Sequence, residues 1–314
     1  MGEPLLVLVG PTGVGKTAVA VRLAGRLAIE AINADSRQVY RGLDVGTGKP
    51  TAAERAALRH HLVDVVDPTE RYDAARFRRD ALEAMAGIRS RGRLPVVVGG
   101  TGLYVRALLH GLRPAPPADP ALRADLGRFA HRHGAPALHA RLAERAPAAA
   151  ARLHPNDLVR VVRALETLDG PAPEARAAGA GDWAASPALG PLLVVGLCRE
   201  RAALARDLGE RVREMVARGM LEEVRRLMAA GVDESAPAMA GIGYRSFCAV
   251  ARGTLAEAEA LRRMIRDTTR YAKRQMTWFR RDPEVRWIDV DRAGGVAGVV
   301  EVVLEHAERE GVIA

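Results

Sequence analysis

Residues 10 to 17 read GPTGVGKT. A G-x-x-x-x-G-K-[ST] stretch works in one setting: a strand must deliver the chain into the loop and a helix must begin at once, so that loop amides and the positive helix end converge on a phosphate. Both neighbours are present. Leu5 to Val9 (LLVLV) is a continuous apolar run of strand length, and Thr17 to Leu27 places Val19, Ala20, Leu23, Ala24 and Leu27 on one side of a helix. The opening of the chain therefore commits it to an α/β sheet with an anion cradle at a strand end.

The same alternation continues. Ile29 to Ala34 reads as a strand ending at Asp35, and Leu62 to Val66 (LVDVV) as another. Asp73 caps a helix that stops near Gly92, and Leu94 to Val98 is the next buried strand. Strands separated by helices predict a parallel sheet with helices on both faces. Residues 113–120 (RPAPPADP) break the pattern, 121–169 are helical in period without a convincing strand, and 170–190 are low-complexity and read as a flexible loop. Pro191 to Cys198 resumes the sheet. Helices are predicted over about 201–230 and 255–280, a last strand over Val285 to Val290, and a closing helix over 297–309. The expected fold is α/β: a P-loop parallel sheet flanked by helices, with a small all-helical insertion domain. Residues 1–112 and 191–314 form the core and 113–190 the insertion.

Composition narrows the function. Lys and Arg total 47 against 38 Asp and Glu, a formal charge of +9 that points to a polyanionic partner. Only three of the basic residues are lysines: Lys16, Lys49 and Lys273. Two cysteines, Cys198 and Cys248, exclude a disulfide framework and a four-cysteine zinc site. No apolar run approaches a membrane span, and Leu5 to Val9 lacks the basic lead of a signal peptide. A cytoplasmic protein working as a single copy, with no membrane partner, is expected.

In the loop, Gly10, Pro11, Thr12, Gly13, Val14 and Gly15 would offer backbone N–H groups to a diphosphate or nucleotide. Lys16 would neutralise the terminal phosphate, and the Thr17 hydroxyl would ligate Mg²⁺. The motif reads phosphates rather than a base, so ATP is indicated more weakly than phosphate itself. No apolar strand ends in the Asp expected of a nucleotide hydrolase; Leu94 to Val98 runs into Gly99-Gly100-Thr101-Gly102 instead. Asp35 ends a strand on the side where parallel sheets bind ligands, as a general base or as a helix cap. A small-molecule or nucleotide kinase shares the loop and sheet, as does an RNA-binding P-loop module without catalysis.

Seven segments sharpen the choice. GPTGVGKT, NADSRQVYRGLDVGTGKPT, HHLVDVVDP, VVVGGTGLYVRALL, HPND followed by RVVRALE, GIGYR, and YAKRQMTWFR stand in the order seen in tRNA dimethylallyltransferases (tRNA isopentenyltransferases), and the chain resembles the bacterial form of that family from residue 10 to about 280. The resemblance implies transfer of the dimethylallyl group of dimethylallyl diphosphate to N6 of adenosine at position 37, in the tRNA anticodon stem-loop, with release of diphosphate. It implies catalytic roles for Asp35, which would take the N6 proton, for Thr101, facing the reacting adenine, and for Arg211, on the diphosphate. It assigns tRNA contacts to Asp35, Ser36, Arg37, Gln38, Thr101, Arg123, Val159, Arg160, Val161, Val162, Arg163, Gly241, Ile242, Gly243, Tyr244 and Arg245. Tyr244 could stack on a base or pack in the core. Gly48 departs from the family's usual GTAKP in a turn.

Arg262, Arg266, Arg270 and Lys273 or Arg274 recur on one helical face, extended by Arg280 and Arg281 beside Trp278 and Phe279, and read as a rail for a phosphate backbone. His60, His61, His131, His133 and His139 have no cysteine or clustered carboxylate to complete a zinc set, so no histidine metal site is expected.

Overall fold

Residues 5 to 9 have no solvent exposure. Strand β1 (Leu5–Val9) is accordingly interior to a sheet, as its unbroken apolar character requires. The computed structural model describes residues 2–112, 119–169 and 190–313. Within them β1 is joined by β2 (Ile29–Ala34), β3 (His60–His61), β4 (Leu94–Gly99), β5 (Leu192–Cys198) and β6 (Val285–Asp289). The six run parallel in the order β3-β2-β4-β1-β5-β6. Val9 is level with Gly99 and Gly196, and Gly99 with Ala34. The chain thus leaves β1, β2 and β4 side by side at Gly10, Asp35 and Gly100. That register is what assembles the site.

Helices α1 (Lys16–Ala24), α2 (Ala52–Ala57), α3 (Ala74–Ser90) and α4 (Gly102–His110) connect the first strands. The period of two along β1 sends Leu6 and Leu8 into a cluster with Val19, Ala20 and Leu23 of α1, which also takes in Val299, Val300 and Val303 from the last helix. Leu5 and Val7 point the other way, and α3 buries Phe77, Ala81, Met85 and Ile88. Asp73 caps α3, accepting from Ala75 N at 3.0 Å and Arg76 N at 2.9 Å.

The described residues fall into two compact units, one drawn from 1–111 and 185–314, the other from 112–184. The second contains α5 (Pro120–His133), α6 (Ala135–Arg145), α7 (Pro147–Ala150) and α8 (Leu158–Asp169) around Leu126, Leu138, Leu142, Val161 and Leu165. Its buried Glu166 accepts from Arg123 Nη2 at 2.9 Å and Arg163 Nη1 at 3.2 Å. Residues 113–118 and 170–189, which hold most of the proline-rich break and of the low-complexity loop, lie outside the described residues. The remainder of the first unit supplies α9 (Arg201–Ala217), α10 (Met220–Ala229), α11 (Tyr244–Ala251), α12 (Glu257–Phe279) and α13 (Gly295–Arg309).

Two expectations are corrected. Residues 62–66 are not a strand: the ladder is confined to His60–His61, because Leu62 and Asp64 take positive φ values of 61° and 59° that turn the chain. Asp64 uses the turn to pair with Lys49, which is buried and also donates to Asp44 (2.7 Å) and to the Tyr40 carbonyl (2.7 Å). The helix expected over 201–230 is two, broken where Gly219 adopts φ 101° between α9 and α10.

The break aims α10 at the loop after β2. Glu223, 1% exposed, accepts three consecutive amides of that loop: Asp44 N and Val45 N at 2.7 Å, and Gly46 N at 3.0 Å. It also accepts the Tyr244 hydroxyl at 2.7 Å. Glu223→Ala should cost about 2–3 kcal/mol, since it strands the buried Tyr244 hydroxyl and three half-buried amides. Urea denaturation would measure this, and a loss under about 1 kcal/mol would mean water replaces the carboxylate.

Candidate functional site

One cleft opens at the carboxyl ends of β1, β2 and β4. Thr12, Gly13, Gly15, Lys16 and Thr17 line it from the phosphate loop, Asn33, Asp35 and Gln38 from the end of β2, Gly99 and Gly100 from β4, and Arg211 from α9. A parallel sheet binds its ligands on this side. Gly15 is the N-cap of α1 and is left-handed, with no side chain closing the helix end, so the first amides of α1 stay open toward an anion.

The cations are deeply set. Lys16 Nζ folds back to donate to the carbonyls of Gly10 (2.9 Å) and Pro11 (2.8 Å). Burial lowers its pKa to about 8; the Asp35 carboxylate works against that shift and the Arg211 charge adds to it. Arg211 is also pulled below its ordinary value, first by burial and then by Arg218. Its guanidinium lies where a Cβ on residue 48 would be, and residue 48 has φ +58°. Glycine at position 48 is therefore what this packing of Arg211 requires.

Asp35 is held but not consumed. Its Oδ1 accepts from Arg37 N (2.8 Å) and Gln38 N (3.3 Å), which closes a turn; no helix starts there, so the helix-cap role weighed in the sequence is not the one it plays. Both bonds fall on one oxygen, which leaves Oδ2 its lone pairs. The neighbouring loop is tied in by two bonds: Thr101 N donates to the Ala34 carbonyl (3.1 Å), and Ser36 N donates to Thr101 Oγ1 (3.0 Å). Thr101 is the N-cap of α4, yet its hydroxyl makes no capping bond to α4 and serves the Asp35 loop instead. Gln38 pins the facing loop through the carbonyls of Thr47 and Gly48, both at 3.1 Å, and the Arg37 guanidinium turns aside to the Pro237 carbonyl (2.8 Å).

The expected residues separate into groups. Thr12, Gly13, Gly15, Lys16, Thr17, Asp35, Gln38 and Arg211 share the cleft, with Ser36 and Thr101 bonded beside it. Val14 is core. Arg123 and Val159 to Arg163 belong to the helical unit, where Val159 is exposed and Arg160 lies near Asp157. Two calls are overturned. Tyr244 has no exposure and spends its hydroxyl on Glu223, so it cannot stack on a base; packing fills the role offered for it. Val161 is equally buried, in the core of the helical unit, and its side chain cannot touch RNA. On α12, Arg262 pairs with Glu259 (2.7 Å) and Arg266 with Asp267 (3.1 Å), so acidic neighbours offset part of the basic face. No group of three or more His, Cys, Asp or Glu able to hold a metal occurs among the described residues.

Sequence reasoning missed Asn33, Tyr271 and Gln275. Asn33 is a buried amide one turn of the pleat before the strand end, donating to the Leu62 carbonyl (3.2 Å). A polar residue inside the apolar run IEAINA was its signal. Tyr271 lies beside Thr101, and burial pushes its phenol up to about 12.

This fold and cleft define a P-loop α/β protein with buried cations and a carboxylate at its strand-end cleft. The IPP transferase family model matches residues 38–282, and the isopentenyl transferase model matches residues 4–66. A tRNA dimethylallyltransferase of Anaeromyxobacter sp. (strain K) is 53% identical over 287 residues, covering 90% of this chain and 92% of that one. The tRNA dimethylallyltransferase of Geobacter sulfurreducens is 47% identical over 286 residues, 91% of each. The crystal structure of the Bacillus halodurans tRNA isopentenylpyrophosphate transferase superposes with a TM-score of 0.70 at 37% identity over 98% of both chains. The chain belongs to the tRNA dimethylallyltransferase (IPP transferase) family. Membership does not favour the kinase alternative.

The Lys16 environment has a measurable consequence. Burial leaves its ammonium about half ionised near pH 8. Binding pyrophosphate above that pH should draw a proton onto Lys16, and affinity should fall as pH rises through about 8. Calorimetry in two buffers of different ionisation enthalpy reads the uptake, and Lys16→Met should lack its share. Equal uptake by both proteins would remove Lys16 from the anion site.

Proposed function

We propose that this chain transfers the dimethylallyl group of dimethylallyl diphosphate to N6 of adenosine 37 in the tRNA anticodon stem-loop and releases diphosphate. The observation that carries this reading is the meeting of the phosphate loop, Arg211 and Asp35 in one cleft of a chain that belongs to this family. The loop amides, Lys16 and Arg211 would bind the diphosphate and take up the negative charge that grows on it as the allylic C–O bond breaks. N6 attacks the allylic carbon, the diphosphate leaves with the bonding electrons, and the amine proton passes to Asp35. The backbone amides on Asp35 Oδ1 aim the carboxylate while the other oxygen accepts the proton. Thr101 and Ser36 would hold the loop that faces the base.

Such a cleft accepts a base only if it leaves the anticodon stack. Ser36, Arg37 and Gln38 would sit nearest the target. Arg123, Val159, Arg160, Val162 and Arg163 of the helical unit, and Gly241, Ile242, Gly243 and Arg245, would contact RNA elsewhere. The exposed basic face of α12 would follow the backbone. The oxygen donors suit Mg²⁺, which commonly takes one or two protein oxygens beside phosphate and water. Thr17 would hold it, and when bound it adds charge against the leaving diphosphate. No described helix is long and apolar enough to cross a membrane; action on tRNA would place the protein in the cytoplasm.

Incubation with unmodified tRNA and labelled dimethylallyl diphosphate should put the label into tRNA, whereas turnover of ATP alone would revive the kinase. Asp35→Asn should bind tRNA normally and lose about 10²–10⁴-fold in rate. An undiminished rate would take Asp35 out of proton transfer. Added salt should weaken tRNA binding far more steeply than binding of the small diphosphate; equal slopes would argue against an extended basic surface.

A further inference from the structure

Tyr271, Gln275 and Trp278 follow one another along α12 at spacings of four and three, which puts them on one side of the helix. That side meets three consecutive residues of the loop after β4. Tyr271 lies beside Thr101, close enough to act on it electrostatically. Trp278 fills the space that a Cβ on residue 102 would need, and the Gln275 amide does the same at residue 100.

Gln275 does more than pack. It is 5% exposed and uses both ends of its amide: Oε1 accepts from Thr12 N at 2.9 Å and Nε2 donates to the Gly100 carbonyl at 2.9 Å. Thr12 belongs to the phosphate loop after β1, and Gly100 to the loop after β4 that carries Thr101. One demands an acceptor and the other a donor, and a primary amide supplies both from a single planar group. Reversed, the amide would set donor against donor and acceptor against acceptor.

We propose that Gln275 is a positioning residue for prenyl transfer, holding the diphosphate-binding loop and the adenine-facing loop at one fixed separation; this rests on the function proposed above. The allylic carbon is carried by a group bound to the first loop, and the attacking amine would be received beside the second. The distance between carbon and nitrogen then depends on the bond pair through Gln275, and a displacement of about 1 Å at such a point can cost on the order of 10²-fold in rate.

Gln275→Met keeps the length of the side chain and loses both bonds, while Gln275→Glu keeps the acceptor but turns an oxygen toward the Gly100 carbonyl. The methionine variant should lower kcat/KM for dimethylallyl diphosphate by about tenfold or more, with part of the loss in kcat, and leave the dissociation constant for unmodified tRNA within about twofold. The glutamate variant should fare worse, because it adds charge beside the diphosphate. Wild-type protein assayed alongside separates the two claims: no transfer by the wild type would sink the prenyl-transfer reading itself. Wild-type transfer with unchanged kcat and KM in Gln275→Met would overturn the positioning role. Parallel loss of tRNA affinity, the mark of general damage to the fold, would overturn it as well. A second reading uses Gly100→Ala in the wild-type and Gln275→Ala backgrounds. The added methyl overlaps the Gln275 amide, so its cost in kcat/KM should shrink by about tenfold once that amide is gone. Additive losses would overturn the proposal.

Discussion

Two buried cations set the terms for everything around them. Lys16 and Arg211 are both drawn down from their ordinary pKa values by loss of water, a shift opposed by Asp35 at Lys16 and by Glu54, Glu214 and Asp35 at Arg211. Charge held this way in a protein is costly unless something pairs with it. Asp35 and Glu54 line the same cleft as these two cations, and a diphosphate bound there would pair with both cations. Most of the surrounding architecture serves to keep these groups in place before the anion arrives. The level strand ends bring Gly10, Asp35 and Gly100 abreast, Glu223 fixes the loop that Arg211 packs against, and Gln275 ties the two central loops together.

A fixed carboxylate beside a fixed anion site explains how one surface can serve two partners of very different size. The small diphosphate would be met by backbone amides and desolvated cations, which read shape and charge at short range. RNA would be met by solvated arginines, whose field reaches farther and is weakened by salt. On α12 these two kinds of contact lie on different sides of one helix. Arg262, Arg266 and Arg270 are solvent-facing and partly paired with Glu259 and Asp267, and Gln275 points inward to the loops.

Much of this was legible in the amino-acid order, and the reasons are physical. LLVLV before GPTGVGKT left few alternatives to a buried parallel strand feeding a phosphate loop, and Asp35 at the next strand end had to fall on the ligand side. Failures came where tertiary contacts outvote local pattern. LVDVV alternates like a strand, but pairing of Asp64 with Lys49 and Arg55 rewards a turn there. Tyr244, in a glycine-flanked segment, could stack on a base or pack in the core as far as local pattern goes; only the fold brings Glu223 to its hydroxyl and decides for packing. Gln275 sits among arginines on an amphipathic helix, and nothing local marks it as the inward-facing polar residue. Its partners lie 263 and 175 residues away.

Those separations bear on how the protein comes into being. The segment with the phosphate loop leaves the ribosome first, yet the side chains that brace it come from α9, α10 and α12, in the last third of the chain. A nascent N-terminal portion would carry the nucleotide-loop signature without Arg211, Glu223 or Gln275 behind it. The completed cleft would therefore form late in synthesis, when these long-range contacts close the domain.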